Sequence, residues 1–284
     1  MIAPGEFHYR LPRRLGTWRP GSHPATSLGT GQEFVSHASL YDRPDPRRLD
    51  LRASLRDIRG DWLVRVNRQR AAVPVQVIVD VSASMAFGSQ RPKLQVVADF
   101  VEALGQSAFR VGDSLGMAAF DERERLDLFV PALLSRGSGA LMASLLRNCV
   151  AGGSGADGLG QAALRYAGRA GLIFVVSDFH WPLERLEPTL DLLAHAYVVP
   201  MVVWDPAETN PPTETGLLSV WDVESRSQRT LWMRPSLRAR WIDAVARRRA
   251  DLTERLARRN IRPFHLSRDF DGEAMSRYFL EATA

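Results

Sequence analysis

Asp80, Ser82 and Ser84 carry oxygen at alternate positions directly after an apolar, β-branched run, in Val75-Gln-Val-Ile-Val-Asp-Val-Ser-Ala-Ser84. One carboxylate and two hydroxyls form a hard oxygen donor set. That set suits Mg²⁺ or another divalent cation, and not zinc, which favours thiolate and imidazole. A second carboxylate, Asp178 in Val176-Ser-Asp-Phe179, follows another apolar run, Leu172–Ser177. Two strand ends of this kind suggest a single oxygen-lined cation site, a binding device and not a reaction centre.

Continuous apolar runs of this length read as buried parallel strands. In open α/β sheets, ligands bind at the carboxyl ends of such strands. The pattern from Val73 onward fits that class. Lys93–Phe109 is amphipathic, with Leu94, Val97, Val101, Leu104 and Ala108 at helical spacing. Ser114–Phe120 reads as a strand, and the alternation over Arg125–Val130 predicts an antiparallel edge strand after a short charged turn. Ala140–Val150, Leu159–Ala170 and Leu186–His195 predict helices, and Val198–Trp204 a strand. Beyond a Pro- and Thr-rich loop, residues 217–233 suggest a small hairpin insertion. Pro235–Arg259 predicts a long Arg-rich helix, Ile261–Leu266 a last strand and Asp271–Thr283 a closing helix. The expected fold is α/β, a mostly parallel central sheet with helices on both faces and an antiparallel edge strand.

Residues 1–72 differ in character. Gly16 to Gly31 reads as a long loop or extended arm. Leu51 to Arg59 could form a short helix, and Trp62–Asn67 alternates like a strand. With few apolar anchors, this segment is expected to pack as an N-terminal extension on a main domain spanning 73–284.

Composition narrows the function classes. The chain has 284 residues, 45% of them hydrophobic, enough for a sizeable core. Its net charge of +5 comes from arginines mixed with acids. No basic block interleaves with aromatics, which argues against nucleic-acid binding. Cys149 is the only cysteine, which excludes an intramolecular disulfide and fits a reducing compartment. No apolar stretch reaches the roughly 18 residues of a membrane span, and the first residues lack the pattern of a secretory leader. The cytoplasm is the expected location. The six histidines lack zinc-ligand spacing, and His180 is expected at the rim of the site.

Asp80-x-Ser82-x-Ser84 with Asp178 resembles the metal-ion-dependent adhesion site of von Willebrand factor A domains. The resemblance implies that fold (Rossmann-like) for residues 73–283. It also implies Mg²⁺ held by the two serines, with carboxylates aiding directly or through water, a threonine from a further loop, and one position open for a partner's carboxylate. The loop that should supply the threonine reads Gly152-Gly-Ser-Gly-Ala-Asp-Gly-Leu-Gly160, so Ser154 or Asp157 stands in its place. That departure implies weak metal affinity. Pro44-Asp-Pro-Arg-Arg-Leu-Asp-Leu-Arg-Ala-Ser54, followed by Leu63-Val-Arg65, is similar to the segment before the A domain in a bacterial family of unknown function that accompanies MoxR-type AAA+ ATPases. That family's Gly-Asp and Ile-Asp-Trp are here Arg43-Pro-Asp45 and Leu49-Asp-Leu51. The opening Glu6-Phe-His-Tyr-Arg-Leu-Pro12 resembles the subgroup found with methanol oxidation. This implies proteins as partners, an AAA+ ATPase and co-encoded accessory factors among them, in maturation of a periplasmic alcohol dehydrogenase.

Other readings compete. Asp80 and Asp178 could be helix caps and the serines backbone caps, leaving a metal-free scaffold that docks through its N-terminal segment. Arg47, Arg48, Asp50 and Arg52 could clamp a partner or bridge the extension to the sheet. A metal-dependent phosphohydrolase needs a second carboxylate two residues after its aspartyl nucleophile, and Ser82 stands there. No nucleophile elbow, P-loop or dinucleotide fingerprint occurs, so the chain is expected not to be an enzyme.

Overall fold

The structure is a computed structural model that describes residues 5–11, 20–29, 33–153, 155–222 and 227–283. Its elements in chain order begin with β1 (Pro20–Gly29), β2 (Glu33–Ser39), α1 (Leu51–Ser54), β3 (Leu63–Ala71), β4 (Pro74–Asp80), α2 (Lys93–Val111) and β5 (Ser114–Phe120). They continue with β6 (Val130–Leu133), α3 (Ser138–Asn148), α4 (Gly158–Leu164), β7 (Leu172–Ser177), α5 (Leu186–Leu192) and β8 (Tyr197–Val203). The chain closes with α6 (Pro206–Thr209), β9 (Gly216–Asp222), β10 (Ser227–Met233), α7 (Pro235–Ala257), β11 (Phe264–Leu266) and α8 (Gly272–Thr283).

The β-branched run of β4 lies at the centre of a six-stranded sheet ordered β11-β8-β7-β4-β5-β6. All neighbours pair in parallel except β6, which runs antiparallel to β5 at the edge. The expected fold class is therefore the observed one. β4 has a strand at each edge and helices on each face, so its side chains are buried on both faces. Val75, Val77 and Val79 face a core shared with α2, α3 and α8. Ile78 faces one shared with α4, α5 and the end of α7. The chain passes from β4 to β5 on one side and later returns to β7 on the other. Between those directions the carboxyl ends of β4 and β7 form a crevice. Val79 pairs with Val176, which sets Asp80 level with Ser177.

Helix α2, which carries a site residue at its first position, is seated against α3 by a glycine pair. A Cβ on Gly139 would stand 2.7 Å from the Gly105 Cα, so the two backbones approach as only glycine allows.

Some local expectations need correction. Residues 20–29 form a strand and not a loop or arm; β1 and β2 flank β3 in an antiparallel sheet. The remainder of 16–31 lies outside the described residues. Strand pairing with β3 outweighs the loop-like composition, and local sequence does not show that partner. The edge strand begins at Val130 and not Arg125, because Leu126–Leu128 is a 3₁₀ turn. Arg125 is held by Asp127 and Asp121 at 2.9 and 3.1 Å, which folds the charged stretch back on itself. Helix α1 is a single turn, with Asp50 capping Ala53 and accepting from Arg65 at 2.7 Å, so Asp50 is engaged within the chain. The expected hairpin at 217–233 is present as β9 and β10.

The N-terminal segment is tied to the main core. Phe7, Tyr9 and Leu11 are buried in the α2–α3–α8 cluster. Asp113 accepts from the Tyr9 hydroxyl at 2.6 Å and the Val73 N–H at 2.7 Å, and lies 2.8 Å from His23 Nε2.

Candidate metal centre

Where β4 ends, Asp80 is fully buried. Its Oδ1 accepts the Ser82 N–H at 2.9 Å, which bends the chain into a 3₁₀ turn over Ala83–Ala86. The bend sets the Ser82 and Ser84 hydroxyl oxygens 3.2 Å apart. Neither serine caps a helix with its side chain, and α2 starts only at Lys93. Asp80 therefore organises the serine loop and is not the cap of α2.

The end of β7 supplies the other side. The Ser177 hydroxyl donates to Asp80 Oδ2 at 2.6 Å, and the Trp181 indole N–H donates to Ser177 Oγ at 3.0 Å and to Asp80 Oδ2 at 3.3 Å. Phe179 turns the chain with φ +53°, a left-handed conformation rare for an aromatic residue. Arg248 on α7 holds this turn by donating to the carbonyls of Phe179 and Trp181. Asp178 is fully buried too. Its Oδ1 accepts the His180 N–H at 3.1 Å, its Oδ2 accepts Lys93 Nζ at 2.7 Å, and Ser84 also hydrogen-bonds to it. Lys93 Nζ donates as well to Glu208 Oε1 at 2.8 Å.

The two carboxylates titrate in opposite directions. Burial, and then the Asp178 charge, push Asp80 up to about 6. Burial alone would raise Asp178 as well. The Lys93 charge, His180 and the hydrogen bonds from Lys93 and Ser84 hold it below the ordinary carboxylate range. Burial would lower the Lys93 ammonium, yet its two carboxylate partners raise it above its ordinary value.

The glycine-rich loop lies against the serine loop: Gly152 N–H donates to the Val81 carbonyl at 3.1 Å, and Ala83 N–H to the Gly153 carbonyl at 3.2 Å. Ser154 lies outside the described residues. Asp157 is largely exposed and pairs with Arg185 at 2.8 Å; among the described residues no contact joins it to Asp80, Ser82, Ser84 or Asp178. The structure thus brings Asp80, Ser82, Ser84 and Asp178 together and pairs the Asp157 carboxylate with Arg185.

Four clustered oxygen-bearing side chains, two of them hydroxyls whose oxygens face each other, match the chemistry of a hard divalent cation. Ser82 and Ser84 would hold it, with Asp80 and Asp178 balancing its charge. Asp178, His180 and Glu208 also place ligating atoms within 4.8 Å of one another. The Lys93 ammonium bridges two of the three. An open cleft of about 570 Å³ starts at His180, Glu208 and Trp204 and runs along Trp241, Val245 and Arg248. A larger one, about 690 Å³, lies at the opposite end of β8, beside Tyr197 and Tyr278, and holds none of these groups.

Lys93, Glu208, Ser177 and Arg248 were not among the residues expected from sequence. Lys93 did carry a signal: it is the only lysine of the chain, beside 36 arginines. Trp181 is packed, and His180 is at the rim as expected. Cys149 is half-buried, and burial pushes its thiol up, away from nucleophilic use.

The family described as "Protein of unknown function DUF58" matches residues 43–251. The chain belongs to this family. The matched region of this DUF58 protein includes Asp80, Ser82, Ser84, Lys93, Asp178 and Glu208. No curated protein matches the chain in sequence. Among solved structures, the conserved hypothetical protein BatB from Bacteroides thetaiotaomicron is similar with a TM-score of 0.45 at 15% identity, covering 75% of this chain and 98% of that one. An aerotolerance-related membrane protein from Bacteroides fragilis gives a TM-score of 0.45 at 13% identity, over 74% and 98%. A von Willebrand factor type A structure from Catenulispora acidiphila gives 0.38 at 16% identity, over 77% of this chain and 43% of that one. Likenesses this loose carry no functional weight. No helix among the described residues is long and apolar enough to cross a membrane.

Proposed function

We propose that this DUF58 protein is a non-enzymatic interaction module that captures a carboxylate of a partner protein through a divalent cation. Ser82 and Ser84 hold the ion, and Asp80 and Asp178 balance it. The observation that carries this reading is the pair of hydroxyl oxygens 3.2 Å apart between two fully buried carboxylates. An oxygen site with few charged direct ligands leaves Mg²⁺ electron-poor, so it recruits an external carboxylate. The cleft beside Glu208 gives that partner a surface to dock on.

Catalysis fits poorly. Both oxygens of Asp80 already accept hydrogen bonds and the group has no exposed surface, so it lacks a path to attack a phosphoester. We place the protein in the cytoplasm, working with a MoxR-type AAA+ ATPase and co-encoded accessory factors in maturation of a periplasmic alcohol dehydrogenase. The likeness of residues 44–54 and 63–65 to the MoxR-associated proteins supports this setting. The test is capture of the co-expressed ATPase and its neighbours, with and without EDTA, by wild type and Asp80→Ala. Capture is expected to fail under EDTA and in the variant. Capture indifferent to both would defeat the metal bridge and leave the second reading, a scaffold docking through its N-terminal segment, which Lys93 favours by already neutralising Asp178.

A further inference from the structure

We infer that Lys93 is the site's own cation: it joins Asp178 to Glu208 when no divalent ion is present, and a divalent ion binds only by displacing it from Asp178. This rests on the reading of Ser82 and Ser84 as metal ligands.

Several independent features place the ammonium there against local preference. A chain that uses arginine 36 times uses lysine once, and that lysine has its side chain only 2% exposed. It is the first residue of α2, where the helix dipole disfavours a cation, and the first turn holds no acidic residue to compensate. Its direct ion-pair partners are Asp178 and Glu208, at 2.7 and 2.8 Å. Local rules broken this way mark functional positions. The choice of lysine has a physical reason. An ammonium is a compact point charge on a flexible stem, able to take a metal-like place between carboxylates and to leave it, whereas a guanidinium is planar and wider.

Exclusivity follows from charge. Asp178 Oδ2 holds the ammonium, and the other oxygen accepts the His180 N–H. A divalent ion among Ser82, Ser84 and Asp178 would face that ammonium across one carboxylate in a buried setting, where like charges repel strongly. Glu208 provides the exit. Its carboxylate is part-exposed and lines the open cleft, so the ammonium can leave Asp178 while keeping Glu208. Metal binding would then also carry Lys93 toward the cleft where the partner docks.

The single lysine makes this directly readable. The full chain is titrated with Mn²⁺ alone, binding is followed by electron paramagnetic resonance, and acylation of Lys93 by an amine reagent is followed by mass spectrometry. Lys93 is expected to resist acylation without metal and to react about tenfold faster as Mn²⁺ saturates the site, while Lys93→Met binds Mn²⁺ about tenfold more tightly than wild type. Mn²⁺ bound with Lys93 still protected overturns the displacement and leaves the metal reading standing. Equal or weaker Mn²⁺ affinity in a folded Lys93→Met does the same. Absence of Mn²⁺ binding in both proteins overturns this inference together with the metal reading. Binding that persists in Ser82→Ala and Ser84→Ala defeats the assignment of those ligands. If Lys93→Met does not fold, the acylation of wild type decides.

Discussion

Asp80 and Asp178 are the same residue type at the ends of adjacent parallel strands, both without exposed surface, yet they sit in opposite electrostatic surroundings. Asp80 is held by neutral donors: the Ser82 backbone N–H, the Ser177 and Ser82 hydroxyls and the Trp181 indole N–H. Asp178 has an ammonium at 2.7 Å. One is raised to about 6 and the other is lowered. Burial sets the size of the penalty on charge, and the nearest cation decides which carboxylate bears it. A divalent ion held at Ser82 and Ser84 would bring positive charge to both carboxylates in place of the ammonium that Asp178 alone has without it.

The strongest way to break this contrast is to remove the ammonium. Lys93→Met leaves Asp178 buried without a cation and is expected to cost about 3–5 kcal/mol in urea unfolding at pH 7. The loss should shrink in acid, where Asp178 can take up a proton.

The Asp80 half predicts a pH dependence. Its folded value, about 6, lies above the unfolded one, so the folded state binds the proton more tightly. Asp80 therefore lowers stability as pH rises from about 4 to about 6, by about 3 kcal/mol in all. Asp178, held below its ordinary value, acts in the opposite sense at lower pH: its contribution is present above the unfolded value and lost as pH falls through the folded one. Subtracting the stability profile of Asp80→Asn from that of wild type isolates the Asp80 slope. A flat difference between pH 4 and 6 would contradict it.

A third test moves the cation without removing it. Gly139→Ala puts a methyl against Gly105 and pushes α3 from α2, which carries Lys93. It is expected to cost about 2 kcal/mol in thermal or urea unfolding and to speed Lys93 acylation. The smallest effect sharpens the neutral side. Trp181→Phe removes one donor to Asp80 and Ser177 and should cost about 1 kcal/mol. It should also raise the pH at which Asp80 takes up its proton, read from the same stability profiles.

Much of this was legible in the chain. The run Val75–Val79 predicts a central strand because burial on both faces requires continuous apolar residues, and that strand is β4. Asp80, Ser82 and Ser84 stand out because polar groups end that run, and Asp178 because it ends a similar one. The strands at 20–29 and 33–39 were not legible, since their pairing with β3 depends on a partner distant in sequence. Asp157 was drawn into the expected cluster by loop proximity, and its salt bridge to Arg185 shows where its carboxylate goes.

By itself the sequence determined the class of the fold, the strand ends where oxygen donors gather, and the type of ion they suit, because hydrophobic period and donor chemistry are local properties. Only the tertiary structure decided that the first residue of α2 reaches the end of β7, that Glu208 closes the pair from beyond β8, and that Arg248 clamps the Phe179 turn. Those contacts join residues far apart in the chain. A buried charge is stable only where its partners arrive, and the packing of the sheet and its helices sets that place.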